Sequence, residues 1–295
     1  MDETRLISRA AFLRRTGGTL VGGAVATASC LGGQSDTAGV HTWKGRKDSK
    51  LKRWDVITIG NLSRNRYWGE SDAKGVRAAI CTCTLITGDG FRLLVDPSLA
   101  EATDMARELD RRAGVKPRDV NAVFVTHEHG DHFAGVAHFP DAKWLAAPNV
   151  AEIINKSAKL SRRFENATDR LFDAIDVIAT PGHTNTHHSL RFDCDGLSIV
   201  IAGDAVATRD FFRERRGYFN AVDFELSTRT MDKLAALADI IVPGHDNYFL
   251  ADCVVQRMGR PSSRLCPGRS VVPDVSAGDG VDARAEDQHP RPGPE

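Results

Sequence analysis

Thr126-His127-Glu128-His129-Gly130-Asp131-His132 is the stretch that decides how the rest of the chain is read. It follows Ala122 to Val125, an apolar run whose length and flanks predict a buried strand. On extended backbone His127 and His129 stand two residues apart and project to the same side. Gly130 permits a sharp turn into a short helix from about Asp131, so Asp131 and His132 reach a second point nearby. An isolated H-x-H reads as two surface histidines. The full H-x-H-x-D-H run instead offers ligands for two metal ions from one segment.

Three further segments share its setting, each just after an apolar run that predicts a strand. Pro181-Gly182-His183-Thr184 follows Val177 to Ala179, Gly203-Asp204 follows Ser198 to Ala202, and Pro243-Gly244-His245-Asp246 follows Ile240 to Val242. Taken singly, His183 and His245 read as loop histidines and Asp204 as a turn residue. Found in this order at successive strand ends, they are explained together as parts of one site.

Outward from these motifs, strands are predicted at Asp55 to Ile59, Ala79 to Ile86 and Arg92 to Val95, the last two joined by Gly88-Asp89-Gly90. A helix across Glu101 to Arg112, strands near Trp144 to Ala146 and Ser189 to Phe192, and a helix over Arg229 to Ala238 complete the pattern. Hairpins followed by alternating strands and helices predict an α+β domain of two mixed sheets with helices outside.

The 295 residues carry 39 Lys+Arg against 39 Asp+Glu, so no overall charge draws the chain to nucleic acid or to an anionic membrane. A small-molecule substrate fits this balance better. Six cysteines without a C-x-x-C pair exclude a disulfide scaffold or a Cys-rich zinc module. Cys81 and Cys83 read as small buried apolar residues. Cys253 and Cys266 are candidates to pair after export.

The ends of the chain read as something other than fold. Arg5, Arg9, Arg14 and Arg15 precede an uncharged stretch from Thr16 to Ala28, too short to span a bilayer, that closes on the A-x-A pattern Ala26-Thr27-Ala28. Residues 1–35 are therefore read as an export signal with the start of a linker, and 36–53 as the linker. Cleavage would leave a chain starting near Ser29, periplasmic or extracellular in a bacterium. Ser8 to Arg14 resembles a twin-arginine signal with Ala10 in place of the second arginine. Lipid anchoring at Cys30 is the less favoured alternative, because Thr27 stands where lipoproteins carry an aliphatic residue. Residues 54–258 form the expected folded domain, which carries all four motifs. Residues 259–295, rich in Pro and Gly, read as a disordered tail.

The succession HEHGDH, PGHT, GDA and VPGHD, with LLVDP around Asp96, resembles the metallo-β-lactamase-fold hydrolases over roughly residues 55 to 250. The compact ADIIVPGHD ending is most similar to the group called metallo-β-lactamase domain-containing protein 1. The resemblance implies an αββα sandwich with its metals at the edge where strand-end loops meet. It implies that His127, His129 and His183 hold one ion, that Asp131, His132 and His245 hold a second, and that Asp204 bridges them. Two Zn²⁺ suit imidazole and carboxylate ligands, and iron or manganese can take the same set. The implied activity is hydrolysis of a small ester, lactone or amide by a metal-bridging hydroxide, with Asp131 orienting the nucleophile and receiving its proton. A phosphodiesterase or nuclease, and an iron-dependent persulfide dioxygenase-like oxidoreductase, remain open alternatives.

Departures from family patterns narrow the choice. True β-lactamases of this fold usually carry Cys or Ser at the place of Asp204, and quorum-signal lactonases a tyrosine at that of Ala207. Glyoxalase II enzymes add a C-terminal helical domain, and flavodiiron proteins have Glu at the place of His129. Substrate contacts are expected from the segment Arg64 to Gly75, through Tyr67 and Trp68, and from Arg209 to Phe219, through Phe211 and Tyr218. His187 and His188 are read as surface residues or as neighbours of the ligands rather than as ligands.

Overall fold

The computed structural model describes residues 50–251. The export signal, Cys30, the linker up to residue 49, Cys253, Cys266 and the tail lie outside the described residues. Two six-stranded mixed sheets carry the fold. The first contains, in spatial order, β1 (Leu51–Thr58), β2 (Cys83–Gly88), β3 (Phe91–Val95), β4 (Ala122–Val125), β5 (Lys143–Ala146) and β6 (Glu165–Asn166). The second contains β7 (Arg170–Leu171), β8 (Ile175–Ala179), β9 (His188–Cys194), β10 (Leu197–Gly203), β11 (Ile240–Pro243) and β12 (Phe249–Leu250), again as consecutive neighbours.

Alternation along the central strands builds three apolar layers. Leu93 and Val95 of β3 and Phe124 of β4 meet Leu190, Phe192, Ile199, Ile201 and Val242 between the sheets. The intervening Leu94, Val123 and Val125 face the other way, onto α1 (Ala102–Ala113) through Met105 and Leu109 and onto α3 (Pro148–Ser157) through Val150 and Ile154. On the second sheet Val200, Ala202 and Ile241 turn outward to Met231 and Leu234 of α5 (Phe224–Leu237). The result is the expected αββα sandwich. Strands buried on both faces explain the uninterrupted apolar runs of the sequence. Each fully buried Leu or Phe contributes about 1.5–3 kcal/mol relative to exposure.

Local differences from the sequence reading have local causes. The first strand begins at Leu51, inside the stretch read as linker, because Leu51 tucks into the intersheet layer while Lys52 and Arg53 stay exposed. Helix α5 starts at Phe224 rather than Arg229, since Asp223 caps it by accepting from the Leu226 amide at 2.8 Å. Helix α3, begun by Pro148, was absent from the sequence pattern. Among the described residues no helix is long and apolar enough to cross a membrane.

The topology gathers the motifs. Strands β8, β10 and β11 run in one direction, because β9 is antiparallel to both β8 and β10 while β11 is parallel to β10. Their ends therefore open on the same edge of the second sheet. The end of β4 in the first sheet joins that edge through the His188 amide, which donates to the Thr126 carbonyl at 2.9 Å.

Candidate metal centre

Seven side chains converge at this edge in two groups: His127, His129 and His183 with Asp204, and Asp131 with His132 and His245. His127 and His129 lie on the loop after β4, and Asp131 and His132 open α2 (Gly130–Phe133). His183, Asp204 and His245 follow β8, β10 and β11. In the first group His129 Nδ1 lies 2.9 Å from His127 Nε2 and 3.0 Å from His183 Nε2, and Asp204 Oδ2 is 3.2 Å from the latter. In the second, His245 Nε2 is 3.5 Å from Asp131 Oδ2. The other oxygen of Asp204, Oδ1, lies 3.2 Å from His132 Nε2 and 3.1 Å from His245 Nε2. Asp204 thus presents one oxygen to each group.

The partners of Nδ1 show what these atoms are prepared for. His132 Nδ1 donates to Asp96 Oδ2 at 2.9 Å, and His245 Nδ1 faces the carbonyls of Asn61 and Ile80 at 3.0 and 2.9 Å. Thr126 Oγ1 gives its hydrogen to Asp96 Oδ2 and stands 3.2 Å from His127 Nδ1. Each of these rings has Nδ1 engaged by an acceptor and turns Nε2 inward, the arrangement that prepares Nε2 to bind an ion. His132 Nε2 and Asp204 Oδ1 are buried without a hydrogen-bond partner. Leaving such groups unsatisfied costs about 1–3 kcal/mol each. Ligands about 2.0–2.1 Å from a tetrahedral ion stand about 3.4 Å apart, close to the spacings found in both groups. The donor atoms of each group could therefore hold a metal ion.

Burial pushes His127 well below the ordinary imidazole range and His183 down to about 4, so both are neutral and free to donate lone pairs. Burial opposes the charge on Asp204, yet the neighbouring His245 and His132 outweigh it and hold the carboxyl well below its usual range. Gly244 makes room for that carboxylate: a Cβ there would fall 2.0 Å from Asp204 Oδ1. Asp96, whose φ of 52° lies in the left-handed region, accepts from the Thr126 amide and hydroxyl as well as from His132.

Residues 76–245, more than half of the chain, match the metallo-β-lactamase superfamily. The chain belongs to that superfamily. Metallo-β-lactamase domain-containing protein 1 of Xenopus laevis is 31% identical over 173 residues, 56% of this chain and 70% of that protein. A hydroxyacylglutathione hydrolase of Xanthomonas axonopodis pv. citri is 37% identical over 129 residues, 41% of this chain but only 44% of that enzyme. Among solved structures, a metallo-β-lactamase-like protein of Thermotoga maritima superposes with a TM-score of 0.53 at 18% identity, covering 67% of this chain and 98% of that one. The last likeness is one of fold alone.

The residues expected to meet substrate fall into two kinds. Tyr67 and Trp68 are exposed on the Arg64 to Gly75 loop, with Trp68 at 60%. Phe211, of α4 (Arg209–Arg213), is only 1% exposed and packs edge-on beneath Tyr67 at 4.9 Å. Its ring supports the loop and has no face left for a ligand. Tyr218 is buried too, and its hydroxyl donates to the Arg64 carbonyl at 2.9 Å. A cleft of about 510 Å³ lies between this loop and the segment after α4, lined by Arg66, Tyr67, Arg216, Gly217 and Phe224 among others. That segment is fastened to the His183 loop by the amides of Val222 and Asp223, which donate to the carbonyls of His183 and Gly182.

Proposed function

We propose that the chain is a two-metal hydrolase of small esters, lactones or amides. The observation that carries this reading is the divided carboxylate of Asp204, one oxygen at 3.2 Å from His183 and the other at 3.1 Å from His245. When bound, a pair of divalent ions supplies a nucleophile from water at neutral pH and polarises the oxygen under attack. The protein's share is to hold seven ligands in place and to manage a proton. Asp131 is suited to moving that proton, because its side chain is 25% exposed, against 5% for Asp204, and it is the carboxylate of the set that can exchange with solvent. Cys81 and Cys83 are ruled out as nucleophiles, since both are fully buried and burial raises both thiols, that of Cys81 to about 12. Tyr67 and Trp68, exposed on their loop, are the side chains suited to give the substrate an apolar wall.

A phosphodiesterase of the same architecture is the second reading, favoured by Arg66, Arg215 and Arg216 along the cleft. Arg215 is already engaged by Asp232 at 2.9 Å, which leaves fewer free cations than the sequence cluster suggests. The deciding experiment is elemental analysis of the purified protein together with a panel of chromogenic esters, lactones, nitrocefin and phosphodiesters. About two ions per chain and turnover of an ester or lactone are expected. One ion or none after growth in zinc-supplemented medium counts against the reading, and salt-sensitive phosphodiester turnover alone selects the second.

A further inference from the structure

We propose that His187 is a positioning residue for Asp204, holding the bridging carboxylate in place through a directed run of hydrogen bonds; this rests on the metal reading above. His187 is fully buried, its ring 4.9 Å from that of His127. The order of protons along the run is forced from one end. Ser189 Oγ donates to the Ala202 carbonyl at 3.0 Å, so its lone pair receives the Thr180 hydroxyl at 2.8 Å. Thr180 Oγ1, its own hydrogen committed, accepts from His187 Nδ1 at 2.8 Å. Nδ1 therefore carries the ring hydrogen, and Nε2 presents its lone pair to the Ala205 amide at 3.2 Å.

The ring is thus oriented from the ends of β8 and β9, and it holds the residue that follows Asp204. The residue before Asp204 is held as closely. Gly203 has φ 52°, and a Cβ there would lie 2.9 Å from His187 Nε2 and 2.7 Å from Thr126 Oγ1. The turn that carries Asp204 is gripped on both sides. Both oxygens of that carboxylate serve ligand groups, so a small displacement of the turn disturbs both groups together. A ring of similar size without nitrogens fills the space but leaves the Ala205 amide without an acceptor and Thr180 without a donor.

The test uses wild-type, His187→Phe, His187→Gln and Thr180→Val proteins expressed in cobalt-supplemented medium and equilibrated against graded EDTA. Cobalt per chain and the visible cobalt spectrum are read, with circular dichroism to establish folding. In His187→Phe retention is expected to fall about 10- to 100-fold with an altered spectrum. His187→Gln, whose amide oxygen can accept from Ala205, is expected to recover much of it, and Thr180→Val to show a smaller loss in the same direction. Wild-type retention and spectrum in a folded His187→Phe overturn the proposal. If that variant does not fold, the same result in Thr180→Val overturns it. A wild-type protein that takes up no cobalt overturns the metal reading itself, and this proposal with it.

Discussion

The two ligand groups differ in what stands behind their imidazoles. In the second, His132 is backed by the carboxylate of Asp96 and His245 by two backbone carbonyls, so both rings are clamped at Nδ1 by strong acceptors. In the first, His127 has only the Thr126 hydroxyl at 3.2 Å, and Nδ1 of His183 is buried without a partner. One site is oriented by hydrogen bonds and the other by packing among converging rings. The second group is thus the more preorganised, and its ring orientations depend on residues that touch no ion.

The sharpest way to break this contrast is to remove what the groups share. Asp204→Ala is expected to abolish retention of both ions and leave no turnover above background, measured by elemental analysis and by the substrate panel. Asp131→Asn tests chemistry rather than holding. With both ions retained, kcat is expected to fall about 10²- to 10⁴-fold while KM changes little, because the amide keeps the shape but cannot take a proton. Near-normal turnover with two ions present would reject that role. Asp96→Asn addresses the backing of the second group alone. An affinity loss of about 10- to 100-fold confined to one of the two ions is expected in a chelator titration, and equal loss of both would erase the distinction between the groups.

The smallest effect is expected away from both groups, on the loop bearing Tyr67 and Trp68. Glu70 pins this loop by accepting from the Asn65 amide at 2.6 Å and by pairing with Arg77. The Arg77 hydrogen bond holds the Glu70 carboxyl below its ordinary 4.5. The stabilisation is therefore complete above that value and is lost as pH falls through the lowered one. Acidification below about pH 4.5 should shift Trp68 emission, while Glu70→Gln should show the shifted emission already at neutral pH and remove the acid transition. A Trp68→Phe control isolates the signal, and an acid transition retained in Glu70→Gln assigns it elsewhere.

The cluster of seven side chains was legible because each occupies a short motif at the end of an apolar run, where a local pattern is enough. The layered sandwich was legible for the same reason, through the alternation of residues such as Leu93, Leu94 and Val95. What holds the ligands was harder to read. The carbonyls of Asn61 and Ile80 that orient His245 are backbone groups more than 160 residues away from it in sequence, and no side-chain motif marks them. His187 lies beside an ordinary-looking His188, yet one is fully buried and the other is partly exposed at the start of β9. Phe211 shares an amphipathic-looking stretch with Arg213 and Arg216, and only the fold shows that it faces inward beneath Tyr67.

Each ligand group draws on both sheets. His127, His129, Asp131 and His132 come from the first, and His183, Asp204 and His245 from the second. Any ion bound by either group is consequently a rivet between the two halves of the sandwich, closing loops between positions as distant as 127 and 245. Ligation then becomes part of folding: an ion held at about 100 times its dissociation constant adds about 2.7 kcal/mol to the native state. Metal supply would thereby govern how long the chain survives as well as how fast it works, and a chelator would act on it as a denaturant.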